Sequence, residues 1–156
     1  VPDPARAREG AGLTPVDELR ATLDAVVADY YARFGAFDID GARRCWDVDD
    51  PDPVCLPEEV RGFVRGWPAL EAYWADTRRT LARLAATHRE LESRLLAPDL
   101  ALATWEMHWD ARVVGQTRPI GGDVRVSACF RRRQDGWKLI HYVEAPLAPI
   151  VYLRAL

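Results

Sequence analysis

Cysteine is scarce in this chain, and nothing pairs it. Cys45, Cys55 and Cys129 are three in 156 residues, with no CxxC and no Cys/His ligand spacing. Neither a disulfide framework nor a zinc site is expected, and the thiols read as small apolar residues in a reducing compartment. No apolar run reaches the roughly 18 residues of a membrane span, and there is no signal-peptide core. An excess of positive charge is missing too. The net charge is −3 and the pI near 5.6, and acids dilute Arg78-Arg79 and Arg131-Arg132-Arg133. Neither a nucleic-acid partner nor a membrane partner is expected. No Gly-rich phosphate loop, GxSxG elbow or HExxH occurs, so no cofactor or metal is indicated. Asp47, Asp49, Asp50 and Asp52 lack the Gly and Glu of a calcium loop and are broken by prolines, which makes them a solvated turn. Cytoplasm is the expected location.

What is present suits one domain. Hydrophobic residues make up 49% and charged residues 29%, ordinary values for a globular chain of a size that builds a single core. Six tryptophans suggest an aromatic-lined cavity or a buried interface. Residues 1–13, rich in Pro, Gly and Arg, read as a disordered tail, and 14–156 as the domain. Thr14-Pro15-Val16-Asp17-Glu18 is a helix start, with Thr14 as N-cap and Pro15 in the first position. Leu19, Leu23, Val26, Val27, Tyr30, Tyr31 and Phe34 then form an apolar stripe that Gly35 ends. Asp40 is placed to cap a short second helix through Cys45 and Trp46.

Beyond the acidic turn, Val54-Cys55-Leu56 reads as a strand with Phe63–Gly66 as its hairpin partner. Trp67-Pro68 opens a third helix through Leu70, Tyr73, Trp74, Thr77, Leu81 and Leu84, expected to end near Ala85 or Ala86. Thr87–Ala97, Leu100–Val114, Asp123–Arg133 and Trp137–Glu144 read as strands, with Asp135-Gly136 as a hairpin turn. Residues 146–156 form an apolar tail. These elements predict an α+β fold: a cone-shaped, curved, mostly antiparallel sheet wrapped around three N-terminal helices.

Three segments carry a family resemblance. Tyr30-Tyr31 with Phe34 and Asp38-Ile39-Asp40-Gly41-Ala42 is similar to a helix-end pattern, and Val64-Arg65-Gly66-Trp67-Pro68 to a strand–helix junction. Phe130 through His141 is similar to a closing hairpin. In this order the chain resembles the SnoaL-like branch of the nuclear-transport-factor-2-like superfamily over 14–145. The resemblance implies acid–base chemistry in a cone without a metal, of isomerase, polyketide cyclase, dehydratase or epoxide hydrolase type, or a non-catalytic binding or dimerisation module. Fold alone does not choose. Laid on the ketosteroid isomerase branch, the oxyanion-hole tyrosine falls on Tyr30. The base falls near Val54, or on Asp52 after a register shift, and the second acid falls on Ala128. Two of three groups are therefore missing, so this is not expected to be a ketosteroid isomerase.

The candidate catalytic residues are Glu106, His108 and Asp110, with His141 and Tyr30. Glu106, His108 and Asp110 share one strand face, opposite Trp105, Met107 and Trp109. A histidine beside carboxylates suits a general base or acid. The alignment puts Thr104, Glu106, His108, His141 and Val143 inside, with Ile140, Tyr142 and the tryptophans on a convex apolar face fit for a homodimer. The alternative stays open: alternation says which residues go together, not which face is inward, and the tryptophans could fill the core. Phe34, Trp46, Trp67, Tyr73 and Trp74 are the candidate ligand-binding aromatics at the cone mouth, for a small apolar molecule. His88 is expected to be exposed.

Overall fold

Thr14 begins the first helix as its sequence predicts. Its hydroxyl accepts from the Asp17 amide, the Asp17 carboxylate accepts from the Thr14 amide, and Pro15 occupies the first turn. The computed structural model describes residues 14–146, so the tail expected over 1–13, and all but Pro146 of the one expected over 146–156, lie outside the described residues. Helix α1 (Pro15–Gly35) buries Leu23, Val27, Tyr30 and Tyr31. It ends where a Cβ on Gly35 would come within 3.0 Å of the Leu84 carbonyl oxygen. Helix α2 (Ile39–Arg44) is capped by Asp38 rather than Asp40, because the helix already begins at Ile39 and the Asp38 carboxylate takes the Gly41 amide.

Strand β1 (Val54–Leu56) pairs antiparallel with β2 (Val64–Arg65), and α3 (Gly66–Thr80) follows at once. The third helix stops five residues before the expected Ala85, where Leu81 turns to extended backbone (φ −103°, ψ 131°). Leu81 and Leu84 look helical in sequence because strand pairing slips by one residue between Leu81 and Arg83. That slip puts both leucines on one face of a strand.

The remaining chain is a meander: β3 (Leu81–Ala97), β4 (Leu100–Val113), β5 (Ile120–Arg133) and β6 (Gly136–Pro146). The six strands run in the order β2-β1-β6-β5-β4-β3, antiparallel except for β1 beside β6. The sheet stays open and curves around the helices. Trp137, Leu139, Phe130, Trp105, the helix residues Leu23, Val27, Leu70 and Trp74, and Trp46 just after α2 form one buried cluster. Asp47 is the buried carboxylate of this end, 2% exposed. It holds Arg133 through two oxygens at 3.0 and 2.7 Å, with Arg131 at 3.4 Å. Burial alone would raise its pKa, but Arg133, the Asp49 amide and Arg131 hold it below the usual carboxylate value.

The inward face is the reverse of the one that the alignment predicts. Ala103, Trp105 and Met107 are buried, with Val124, Val126, Ala128 and Phe130 of β5 on the same side. Thr104, Glu106, His108 and Asp110 therefore lie on the convex face. Its β4 stretch is not apolar but a row of polar pairs: the ion pairs Arg89–Glu106 and Arg83–Asp110, with His108 hydrogen-bonded to Asp123 between them. Large aromatics gain more from burial than charged groups, which carry a desolvation cost. Tyr142 does share a face with Trp105, as expected, but that face is the inner one. The resetting device is a bulge in β6: Cys129 pairs with His141 and Phe130 with Leu139, leaving Ile140 as an extra residue. Trp137, Leu139 and Tyr142 can thereby all point inward while His141 does not. A second bulge between Arg89 and Glu92, with Glu90 at φ 56°, does the same for His88 and Leu91 of β3.

Candidate functional site

Between the helices and the concave face lies a cavity of about 450 Å³, the size of a small-molecule site. Its depth follows from burial. Tyr30, Tyr31, Cys55, Met107 and Tyr142 form the interior, each 5% exposed or less, while Glu59, Asp76, Thr80 and Ile120 are exposed and mark the mouth. Phe34, Tyr73, Leu84 and Trp109 make the walls between. Tyr30 stacks on Phe34 at 5.9 Å, and Phe34 on Tyr73 at 6.3 Å, so one side is a continuous aromatic surface.

A hydrogen-bonded chain crosses the interior. Trp105 Nε1 donates to Tyr31 Oη at 2.8 Å, and Tyr31 Oη lies 2.9 Å from Tyr142 Oη, which donates to Glu144 Oε1 at 2.9 Å. Since Tyr142 has one proton and gives it to Glu144, Tyr31 is the donor in the middle link. The Glu58 amide donates to the other Glu144 oxygen at 3.0 Å. Burial pushes the Glu144 carboxyl up to about 7; the Glu58 amide and Tyr142 pull it down, and the charges of Glu59 and Glu58 push it further up. Tyr31, Tyr142 and Tyr30 are all raised well above the usual phenol range, chiefly by burial. At neutral pH the phenols donate, and Glu144 is placed to change charge near neutrality.

Of the sequence-predicted site residues, the structure brings Tyr30, Phe34 and Tyr73 to the cavity and leaves the others outside it. His108 has a side chain 60% exposed, with Nδ1 2.9 Å from Asp123. His141 is half-buried on the outer side beside β1, and its pKa is lowered by burial and by Arg65. Trp46 and Trp74 are fully buried core, and Trp67 lies under the Arg43 guanidinium while donating to the Asp50 carbonyl. His88, expected in solvent, is only 10% exposed in its side chain and lies 2.8 Å from Asp24. The residues that sequence reasoning missed are Glu144, Tyr142, Tyr31, Glu58 and Glu59. The signal for Glu144 was its parity with Tyr142, visible only once Tyr142 was known to face inward.

Fold and cavity define a class: an open cone whose ligand space is walled by aromatics and edged with carboxylates. The SnoaL-like domain profile matches residues 23–149, so the chain belongs to the SnoaL-like domain family. Among solved structures it is similar to a candidate dehydratase of the NTF2-like family from Streptomyces avermitilis. That likeness has 18% identity and a TM-score of 0.74, covering 87% of this chain and 100% of that one. It is also similar to a ketosteroid isomerase-like protein from Erwinia carotovora atroseptica, with 16% identity and a TM-score of 0.68, covering 85% and 99%. An NTF2-like superfamily protein from Salmonella enterica Typhimurium gives 15% identity and a TM-score of 0.73, covering 85% and 93%. At these identities the likeness is one of fold. No functionally curated protein matches the chain.

Proposed function

We propose that this protein binds a small, largely apolar ring compound in the cone and moves a proton on it with Glu144. The observation that carries this reading is a carboxyl in the wall of an aromatic cavity, held by the Tyr142 hydroxyl and the Glu58 amide, where burial pushes its pKa up to about 7. Such a group accepts and returns a proton at neutral pH, the condition for general acid–base catalysis. Tyr142 orients Glu144 and, with Tyr31 behind it, shifts hydrogen-bond donation as Glu144 changes charge. Tyr30 lines the interior with its hydroxyl beside the Trp74 indole N–H and its own proton to give, a donor for an oxygen on which charge develops. The reaction class is isomerisation, dehydration or cyclisation through proton transfer beside a carbonyl or hydroxyl, a class that relatives named as dehydratase and isomerase-like make reasonable.

The test is hydrogen–deuterium exchange at the acidic carbon of 2-tetralone, followed by NMR in D₂O. The protein should accelerate exchange, and Glu144→Gln should remove about two orders of magnitude of that rate. Exchange no faster than in buffer, or undiminished in Glu144→Gln, would reject proton transfer. Tetralone bound but not exchanged would favour a non-catalytic ligand-binding module.

A further inference from the structure

The cavity has a one-sided charge. Glu58, Glu59, Asp76 and Glu144 line it, and among the described residues no lysine, arginine or histidine does. Asp76 is paired with Arg79, but among the described residues no cationic side chain reaches Glu58, Glu59 or Glu144. Each of these three is held instead by a neutral donor of the wall: Glu59 by Tyr73 Oη at 2.9 Å, Glu58 by Trp109 Nε1 at 2.5 Å, and Glu144 by Tyr142. Such donors fix the carboxylates in place without neutralising them. The same space is bounded by six rings, Tyr30, Tyr31, Phe34, Tyr73, Trp109 and Tyr142, whose negative faces attract cations. Deeper in, the Tyr30 phenol is 3% exposed and lies beside the Trp74 indole N–H, which leaves its own proton for a polar atom at the ligand's far end.

We infer that the ligand is a cation: an aromatic or polycyclic body bearing a protonated amine, its ammonium seated among Glu58, Glu59 and Glu144 beside Tyr73 and Trp109. This rests on the cavity being the ligand site, as proposed above, and adds the ligand's charge. An anionic ligand would meet three carboxylates with no donor of positive charge, which like-charge repulsion disfavours. A neutral ligand would leave those carboxylates repelling one another. A cation relieves that repulsion and favours ionised Glu144, so its binding releases a proton near neutral pH. The groups that face Glu144 and set this linkage are Glu58 and Glu59 after β1, Cys55 on β1, Tyr142 on β6, Tyr30 and Tyr31 on α1, and Tyr73 and Asp76 on α3.

Calorimetric titration with three probes of one shape tests the inference: 1-naphthylmethylammonium, 1-naphthylmethanol and 1-naphthylacetate, in two buffers of different ionisation enthalpy. The ammonium should bind about tenfold tighter than the alcohol and the acetate weakest, with proton release on ammonium binding at pH 7. Glu59→Gln and Glu144→Gln should each erase most of the ammonium's advantage and leave the alcohol's affinity within about twofold, which also shows that the variants are folded. Alcohol binding as tight as ammonium overturns the inference while leaving the cavity and its proton chemistry intact, since tetralone exchange reads those on a neutral probe. Ammonium binding that is absent, or indifferent to both substitutions, also overturns it.

Discussion

Glu144 sits under two opposing influences whose balance can be measured. Burial and the neighbouring Glu59 and Glu58 raise its pKa from 4.5 to about 7, while the Glu58 amide and Tyr142 favour the anion. A folded-state pKa above the unfolded one means that the folded protein holds the proton more tightly. The resulting stabilisation is complete below pH 4.5 and is lost as pH rises through 7. At 1.36 kcal/mol per pKa unit the loss amounts to about 3 kcal/mol. Urea unfolding of wild type and Glu144→Gln at intervals from pH 4.5 to 8 should show the wild type falling relative to the variant by that order. Parallel curves would place Glu144 in ordinary solvent. Histidine gives the opposite lesson. His108, chosen for its carboxylate neighbours on one strand face, does have a carboxylate partner, yet with a side chain 60% exposed it meets solvent rather than substrate.

Elements decide which residues become partners. Helix α1, its capping box, the β1–β2 hairpin and the closing β5–β6 hairpin were legible because caps, turn pairs and apolar periodicity are local. The end of α3 was not, since the slip between Leu81 and Arg83 gives a strand the spacing of a helix. The bulge at Ile140 was equally hidden: an extra residue in a strand has no fixed composition, yet it decides that Tyr142 rather than His141 enters the cone. Where β5 leaves the loop, Gly121 opposes Asp110, and a Cβ there would stand 2.3 Å from the Trp109 carbonyl oxygen. That neighbour is backbone and cannot swing aside. Gly121→Ala should therefore cost roughly 2 kcal/mol in denaturant unfolding, and Gly122→Ala, where a Cβ has open space, markedly less. Equal effects would show that the close approach is relieved elsewhere.

At the scale of the whole molecule, the open sheet and the helices leave a hollow of about 450 Å³ beside the buried core. A ligand that binds only the folded state stabilises it by mass action, about 2.7 kcal/mol at a hundred times its Kd. Saturating 1-naphthylmethanol should thus raise the thermal midpoint. Ala86→Trp, which puts a large ring into the wall beside Leu84 and Met107, should abolish that rise while leaving the unliganded protein folded. A rise that survives the substitution would locate binding elsewhere. The convex β4 surface, carrying ion pairs in place of the expected tryptophans, lacks the apolar character on which a dimer there was argued.

The sequence by itself determined the family, the order of the elements, and the grouping of Glu106, His108 and Asp110 against Trp105, Met107 and Trp109. Each of these follows from local propensity or from the strict period of a strand. Only the tertiary structure decided which group faces inward, because alternation is symmetric between two faces until one is buried. It also decided that Glu144 stands beside Glu58, 86 positions away, and Tyr31 beside Tyr142, 111 positions away. The pKa that makes Glu144 useful arises from burial and neighbouring charge, and neither exists before the chain closes on itself.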